Sequence, residues 1–274
     1  MRGRDGRAGG RAWAALGLLA ALSPFPAPAA SPPDPLGSVL WDAAREQYLG
    51  DGPLVFDDRV KVTAPSNAED TRAVPIAVDA RSLPGVTELV AIADMNPFPL
   101  VLRMRVSGAV PYVATRIKIQ QATAVHGAAR TADGVWHVSG TLVDAAGGGC
   151  SAPPLSYAQS DWADHVGEVQ ARVWPPDADG VARLRLRIRH PNDTGLVPGI
   201  PAFFVETLSV HAENGPELAR IDSLEPVSEN PVFTLDLRPP PGTAALTLKG
   251  RDTQGGAIAA RVPVPVSTVQ RPGQ

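Results

Sequence analysis

The chain has 274 residues, 25 lysines and arginines against 28 aspartates and glutamates, and a net charge of −3. That balance argues against nucleic-acid binding, which needs a basic surface to displace counterions. A single cysteine rules out a disulfide framework, and the five histidines (His126, His137, His165, His190 and His211) are too scattered for a zinc or copper site.

In chain order, Arg2, Arg4, Arg7 and Arg11 precede the short apolar run AWAALGLLAAL, and Ala27-Pro28-Ala29 follows. Residues 1–29 therefore read as a secretory signal peptide, too short in its apolar run for a lasting anchor. Its removal leaves 21 Lys+Arg against 27 Asp+Glu, a net charge of −6. No later apolar run is long enough to span a bilayer, so a protein free of the membrane after cleavage is expected.

Leu36, Val39, Leu40, Ala43, Ala44 and Tyr48 recur at helical spacing and predict one short N-terminal helix. Beyond Gly50 the pattern turns to short alternating segments punctuated by Pro, Gly, Asn and Asp, which predicts strands. They are VFDDRVKVT, AVPIAVDA, TELVAIADM, LVLRMRVSG, ATRIKIQQATAVHGAAR (long enough for two strands) and GVWHVSGTLVD. Residues 145–165, AAGGGCSAPPLSYAQSDWADH, interrupt the rhythm. It resumes in EVQARVWP, ARLRLRIRH, AFFVETLSVHAE, LARIDSLE, PVFTLDLRP, ALTLKGRD and IAARVPVPV. The prediction is an all-β chain of two immunoglobulin-like β-sandwich domains, 30–144 and 166–270, joined by a flexible cysteine-bearing arm over 145–165.

In RLRLRIRH, Leu184, Leu186 and Ile188 face the core and Arg183, Arg185, Arg187 and Arg189 the other side. That arginine row reads either as a solvated strand face or as a basic docking surface.

The residues show no nucleophile-elbow glycine pattern and no phosphate-cradling loop. No acid–base constellation accompanies the cysteine, and the chain reads as a non-enzyme without cofactor or metal. A lone cysteine is ordinarily a small core residue, but the setting of Cys150 argues otherwise. Gly147, Gly148 and Gly149 free the backbone before it, and Ser-Ala-Pro-Pro after it cannot continue a sheet ladder. Six extended residues reach on the order of 20 Å. No Lys or Arg lies between Arg130 and Arg172, so nothing local in sequence lowers the thiol pKa. Cys150 is expected to be an exposed handle on which other proteins place cargo.

These residues carry a resemblance. AVPIAVDA, ADMNPFPLVLRMRVSG, ATRIKIQQATAVHGAARTADGVWHVS and the glycine-flanked cysteine resemble the SoxY subunit of the SoxYZ sulfur carriers. RIRHPNDTGL, IPAFFVETLSVHAENG, SENPVFTLDL and GRDTQGG resemble SoxZ. The fused order behind an export signal is most similar to the SoxYZ-like carriers associated with quinoprotein dehydrogenases. The resemblance implies a periplasmic carrier that holds a sulfur compound covalently on Cys150. Its partners would be periplasmic redox enzymes: a quinoprotein dehydrogenase, a c-type cytochrome or Sox-type enzymes. The chain departs from the family pattern in GGGCSAP, which lacks trailing glycines, and in Asn192, where the pattern has methionine. The alternative reading is a non-covalent docking module whose thiol is incidental.

Overall fold

The computed structural model describes residues 32–266; the signal peptide expected over 1–29 lies outside them. Helix α1 (Trp41–Leu49) is followed by strands β1 (Leu54–Phe56), β2 (Lys61–Thr63), β3 (Val74–Asp79), β4 (Val86–Ala93) and β5 (Leu100–Val106). Next come β6 (Ala109–Ile117), β7 (Thr123–Thr131) and β8 (Trp136–Val143). Past the cysteine segment lie β9 (Val169–Val173), β10 (Ala182–Ile188), β11 (Val205–Ala212), β12 (Glu217–Ser223), β13 (Val232–Leu237), β14 (Ala245–Asp252) and β15 (Ala257–Pro263). Among the described residues no helix is long and apolar enough to cross a membrane.

The predicted strands are present with two local differences, and the helix with one. VFDDRVKVT is two strands, because Asp57 ties Arg59 through backbone and guanidinium and closes a turn with the Val60 N–H on the Asp57 carbonyl. The long fifth segment divides into β6 and β7 and starts earlier than expected, at Ala109. The helix begins at Trp41, not Leu36. Ahead of it the Asp34 carboxylate accepts the N–H groups of Leu36 and Ser38 and holds a turn instead. Val39, expected on the buried stripe, is 83% exposed.

The strands form two sheets. One has nine strands in the order β1-β8-β7-β4-β5-β12-β11-β14-β15, the other six in the order β2-β3-β6-β13-β10-β9. Both sheets cross from the first half of the chain to the second. β5 pairs antiparallel with β12 from Leu102↔Ser223 to Val106↔Ala219, and β6 pairs with β13 at Ala114↔Thr234 and Val113↔Leu235. The halves on either side of 145–165 are therefore joined strand to strand.

One apolar core runs between the sheets and takes Leu89, Met104 and Ile117 from the first half with Leu186, Phe233 and Leu248 from the second. Strict alternation places β10 as expected: Ala182, Leu184, Leu186 and Ile188 are buried and the arginines between them exposed. β7 is buried on both faces except at Arg130, because α1 covers its outer side. There Trp41, Ala44 and Leu49 pack on Val90, Ala128 and Val138.

Candidate functional site

Beyond Asp144, which bridges to Asn67, the glycines run alongside Lys118–Gln120, the segment just past the end of β6. Gly148 donates its N–H to the Gln120 carbonyl at 3.0 Å and Gly149 to the Ile119 carbonyl at 3.1 Å. Thr71 Oγ1 donates to the Gly147 carbonyl at 3.2 Å. Gly147 and Gly148 have φ of 99° and 86°, a left-handed backbone that suits glycine. Gly149 answers to a different requirement: a Cβ there would overlap the Thr71 carbonyl oxygen and lie 2.7 Å from that of Ile119. The glycine run permits close approach of one backbone to two others.

Cys150 is pinned on both sides of its own backbone. Its N–H donates to Gln120 Oε1 at 3.2 Å, and its carbonyl accepts from Thr194 Oγ1 at 2.6 Å. The residue is 1% exposed. This corrects the expectation of an exposed thiol on an outstretched arm. The physical reason is that Gly147, Gly148 and Gly149 lie against the first half of the chain rather than leaving the backbone free. The rest of 145–165 is also folded, into two 3-10 turns, Leu155–Ala158 and Trp162–His165. The Glu229 carboxylate anchors the first, accepting the N–H groups of Leu155 and Ser156 at 2.7 Å each.

The fold also supplies the cation that the local sequence lacks. Lys118, only 3% exposed, donates through Nζ to the Asn192 carbonyl and acts electrostatically on Cys150. Asn192 sits in a left-handed turn (φ 45°). Its side chain bridges the Val227 carbonyl (3.1 Å) and the Val205 N–H (3.1 Å), while its own N–H donates to His190 Nδ1 at 3.0 Å. A flexible methionine could make neither side-chain bond, so the departure at 192 is a polar joint that shapes the floor beneath Lys118. Asp193 is buried beside it, with Oδ1 on the Gly195 N–H and Oδ2 without a hydrogen-bond partner.

Burial dominates the electrostatics. It pushes the Cys150 thiol up to about 11, an effect the Lys118 charge partly offsets. It pulls Lys118 down to about 8, opposed by Cys150, Asp193, Glu229 and Glu225. It lowers His190 and raises Tyr157 to about 12. At neutral pH the resting pair is thus a neutral thiol near a largely charged ammonium.

Of the residues expected at the site, the structure brings together Cys150 and its three glycines. Lys118 and Gln120 join them from the ATRIKIQQ block and Asn192 and Thr194 from the RIRHPNDTGL block, segments that carried the resemblance without marking these side chains for the site. The other histidines stand apart: His126 bonds Asp94 at 3.0 Å and Asp34 at 3.2 Å under Trp41, and His137 bonds Asp57 at 2.7 Å. Among the described residues no group of three His, Cys, Asp or Glu is arranged to hold a metal.

Because the thiol is enclosed, its reaction with alkylating agents must follow local opening. Thr194→Val removes the bond to the Cys150 carbonyl and leaves that carbonyl unpaired, at about 1–3 kcal/mol. The iodoacetamide rate at Cys150 in native buffer is expected to rise by roughly 5- to 100-fold, the same energy expressed as a population of open segment.

Comparison with known proteins follows the same division. Residues 45–150 match the family model for sulfur oxidation protein SoxY, a match that ends on Cys150, and residues 173–263 match that for sulphur oxidation protein SoxZ. Among solved structures the chain is similar to the sulfur carrier protein SoxY from Chlorobium limicola f thiosulfatophilum. The identity is 22% over 39% of this chain and 96% of that chain, with a TM-score of 0.36. No curated protein sequence matches. SoxY and SoxZ proteins are non-catalytic, generally periplasmic carriers that act with other redox proteins of the Sox system.

Proposed function

From a chain in which a SoxY-family segment is followed by a SoxZ-family segment, we propose a periplasmic carrier that holds a sulfur compound covalently on Cys150. In this reading residues 1–29 direct export, 30–144 and 166–270 are immunoglobulin-like domains, and 145–165 is the arm that presents the thiol. The partners are periplasmic redox enzymes, with a quinoprotein dehydrogenase or its c-type cytochrome as the specific expectation from the fused, exported arrangement.

One observation carries the reading: the sole thiol shares a buried, glycine-walled site with the Lys118 ammonium. A thiol with a pKa near 11 is protonated and unreactive at neutral pH, because the thiolate is the nucleophile. The enclosed form is a resting state, and loading follows lifting of Gly148–Cys150 off Ile119 and Gln120. With thiosulfate as donor, the Cys150 S–H gives up its proton and a bond forms from its sulfur to the outer sulfur of the donor. Two electrons pass to an electron-accepting haem partner. The product bears a negative charge, which a nearby ammonium stabilises on return to the site.

Intact-mass measurement of periplasmically purified protein tests this. A thiol-linked adduct, removed by reductant and absent in Cys150→Ser, is expected, with circular dichroism unchanged. The burial of Cys150 favours a second reading, a docking module with an incidental thiol. An unmodified, alkylation-resistant Cys150 under all growth conditions would establish that one instead.

A further inference from the structure

The outer face of the six-stranded sheet carries exposed arginines on three of its strands. Its floor is built of small, mostly apolar side chains: Ala77 on β3, Ala114 on β6, and Val232 and Thr234 on β13 lie in neighbouring register positions. Around that floor stand Arg116 of β6, Arg185 and Arg187 of β10, and Arg172 of β9, all exposed. Two adjoining clefts of about 450 and 360 Å³ share Arg185 and Val232, and neither is lined by a single carboxylate.

Three neighbouring arginines are neutralised within the chain. Arg183 and Arg81 grip the buried carboxylate of Asp236, and Arg189 lies 3.6 Å from Glu168. Arg116, Arg172, Arg185 and Arg187 have no ion pair among the described residues. Arg172 and Arg185 are directly opposed across the β9–β10 ladder, an arrangement that costs stability because like charges face each other. A protein of net charge −3 thus concentrates four uncompensated cations on one sheet face.

We propose that this face docks an acidic protein, one whose carboxylates engage Arg116, Arg172, Arg185 and Arg187 around an apolar contact on Val232, Ala77 and Ala114. From β6 to β9 the arginines span three strand spacings, about 14 Å, too wide for one small anion to bridge. An apolar centre with a charged rim is the anatomy of a protein interface, where arginine is enriched, and its planar fork pairs two-pronged with carboxylates. A third cleft, lined by Arg187, Arg189, His190, Ser156 and Trp162, continues the face toward the segment that follows Cys150. A docked partner would therefore meet the arm, a clause that rests on the carrier reading, whereas the docking itself does not.

The test uses the full chain and a fluorescein-labelled peptide of repeating Glu-Glu-Leu units, followed by anisotropy at about 20 mM salt, where screening is weak. The expected result is saturable, salt-sensitive binding that the Arg185→Glu/Arg187→Glu double variant weakens by about tenfold or more. The milder Arg185→Gln/Arg187→Gln pair gives a smaller loss in the same direction. Lys249→Glu/Arg251→Glu, on β14 of the other sheet, leaves binding unchanged. Cys150→Ser also leaves it unchanged, so loss of the carrier reading would not touch this one. Absence of peptide binding, equal binding by both double charge reversals, or tighter binding to heparin or phosphatidylglycerol vesicles than to the peptide would overturn the proposal.

Discussion

Gly149→Ala is expected to drive Cys150 out of its site. The added methyl group would overlap the Thr71 carbonyl oxygen and crowd that of Ile119, and both oxygens belong to backbone already bonded: Ile119 N–H to Thr71 at 2.7 Å and Gly149 N–H to Ile119 at 3.1 Å. Neither can yield by a side-chain rotation, so the segment itself must move, at about 3 kcal/mol by analogy with overpacked cores. That energy corresponds to a roughly 100-fold larger population of open thiol. Alkylation of Cys150 should accelerate accordingly, and the thermal midpoint should fall as well, because the same strain raises the closed state relative to the unfolded chain. Gly148→Ala provides the contrast. Its methyl would meet nothing within 4 Å and carries only the left-handed backbone cost, about 1–2 kcal/mol. The ratio of the two alkylation rates, measured by mass spectrometry, separates close approach from backbone strain.

Phe233→Ala should have the largest effect on global stability. Phe233 is fully buried on β13, the strand of the second half that pairs with β6 of the first. Truncating a buried phenylalanine costs about 3–5 kcal/mol, which for a domain of this size is a drop of roughly 10 °C in Tm. The loss should fall on both halves together, because they share one core. Trp41 and Trp136 lie in the first half and Trp174 in the second, so tryptophan fluorescence and far-ultraviolet circular dichroism should trace one coincident transition in wild type and variant. Two separated transitions would mean that each half holds its own fold.

Sequence pattern reads well where burial is local. The alternation in RLRLRIRH specifies its faces without reference to anything else, and β10 follows it residue for residue. Pattern fails where the deciding partner is remote. Pairing of β5 with β12 and of β6 with β13 depends on which edges meet, and strand composition does not encode that. The glycines before Cys150 show the same ambiguity. Three consecutive glycines describe a loose tether and a tightly apposed backbone equally well, and only the carbonyls of Thr71 and Ile119 decide between them. Lys118 sits in IKIQQ, where an alternating strand suggests a solvated side chain, yet it follows the end of β6 and turns inward to the Asn192 carbonyl. The thiol's cation was thus present in the sequence but not recognisable there.

The continuity of both sheets across the two halves also bears on why they share a chain. Two strand pairings and a common core would hold the halves together without the connecting segment, so the peptide link is not what secures the association. What the link sets is stoichiometry and effective concentration. The two halves are made in equal number, cross any export channel as one molecule, and cannot be diluted apart or exchange with those of another copy.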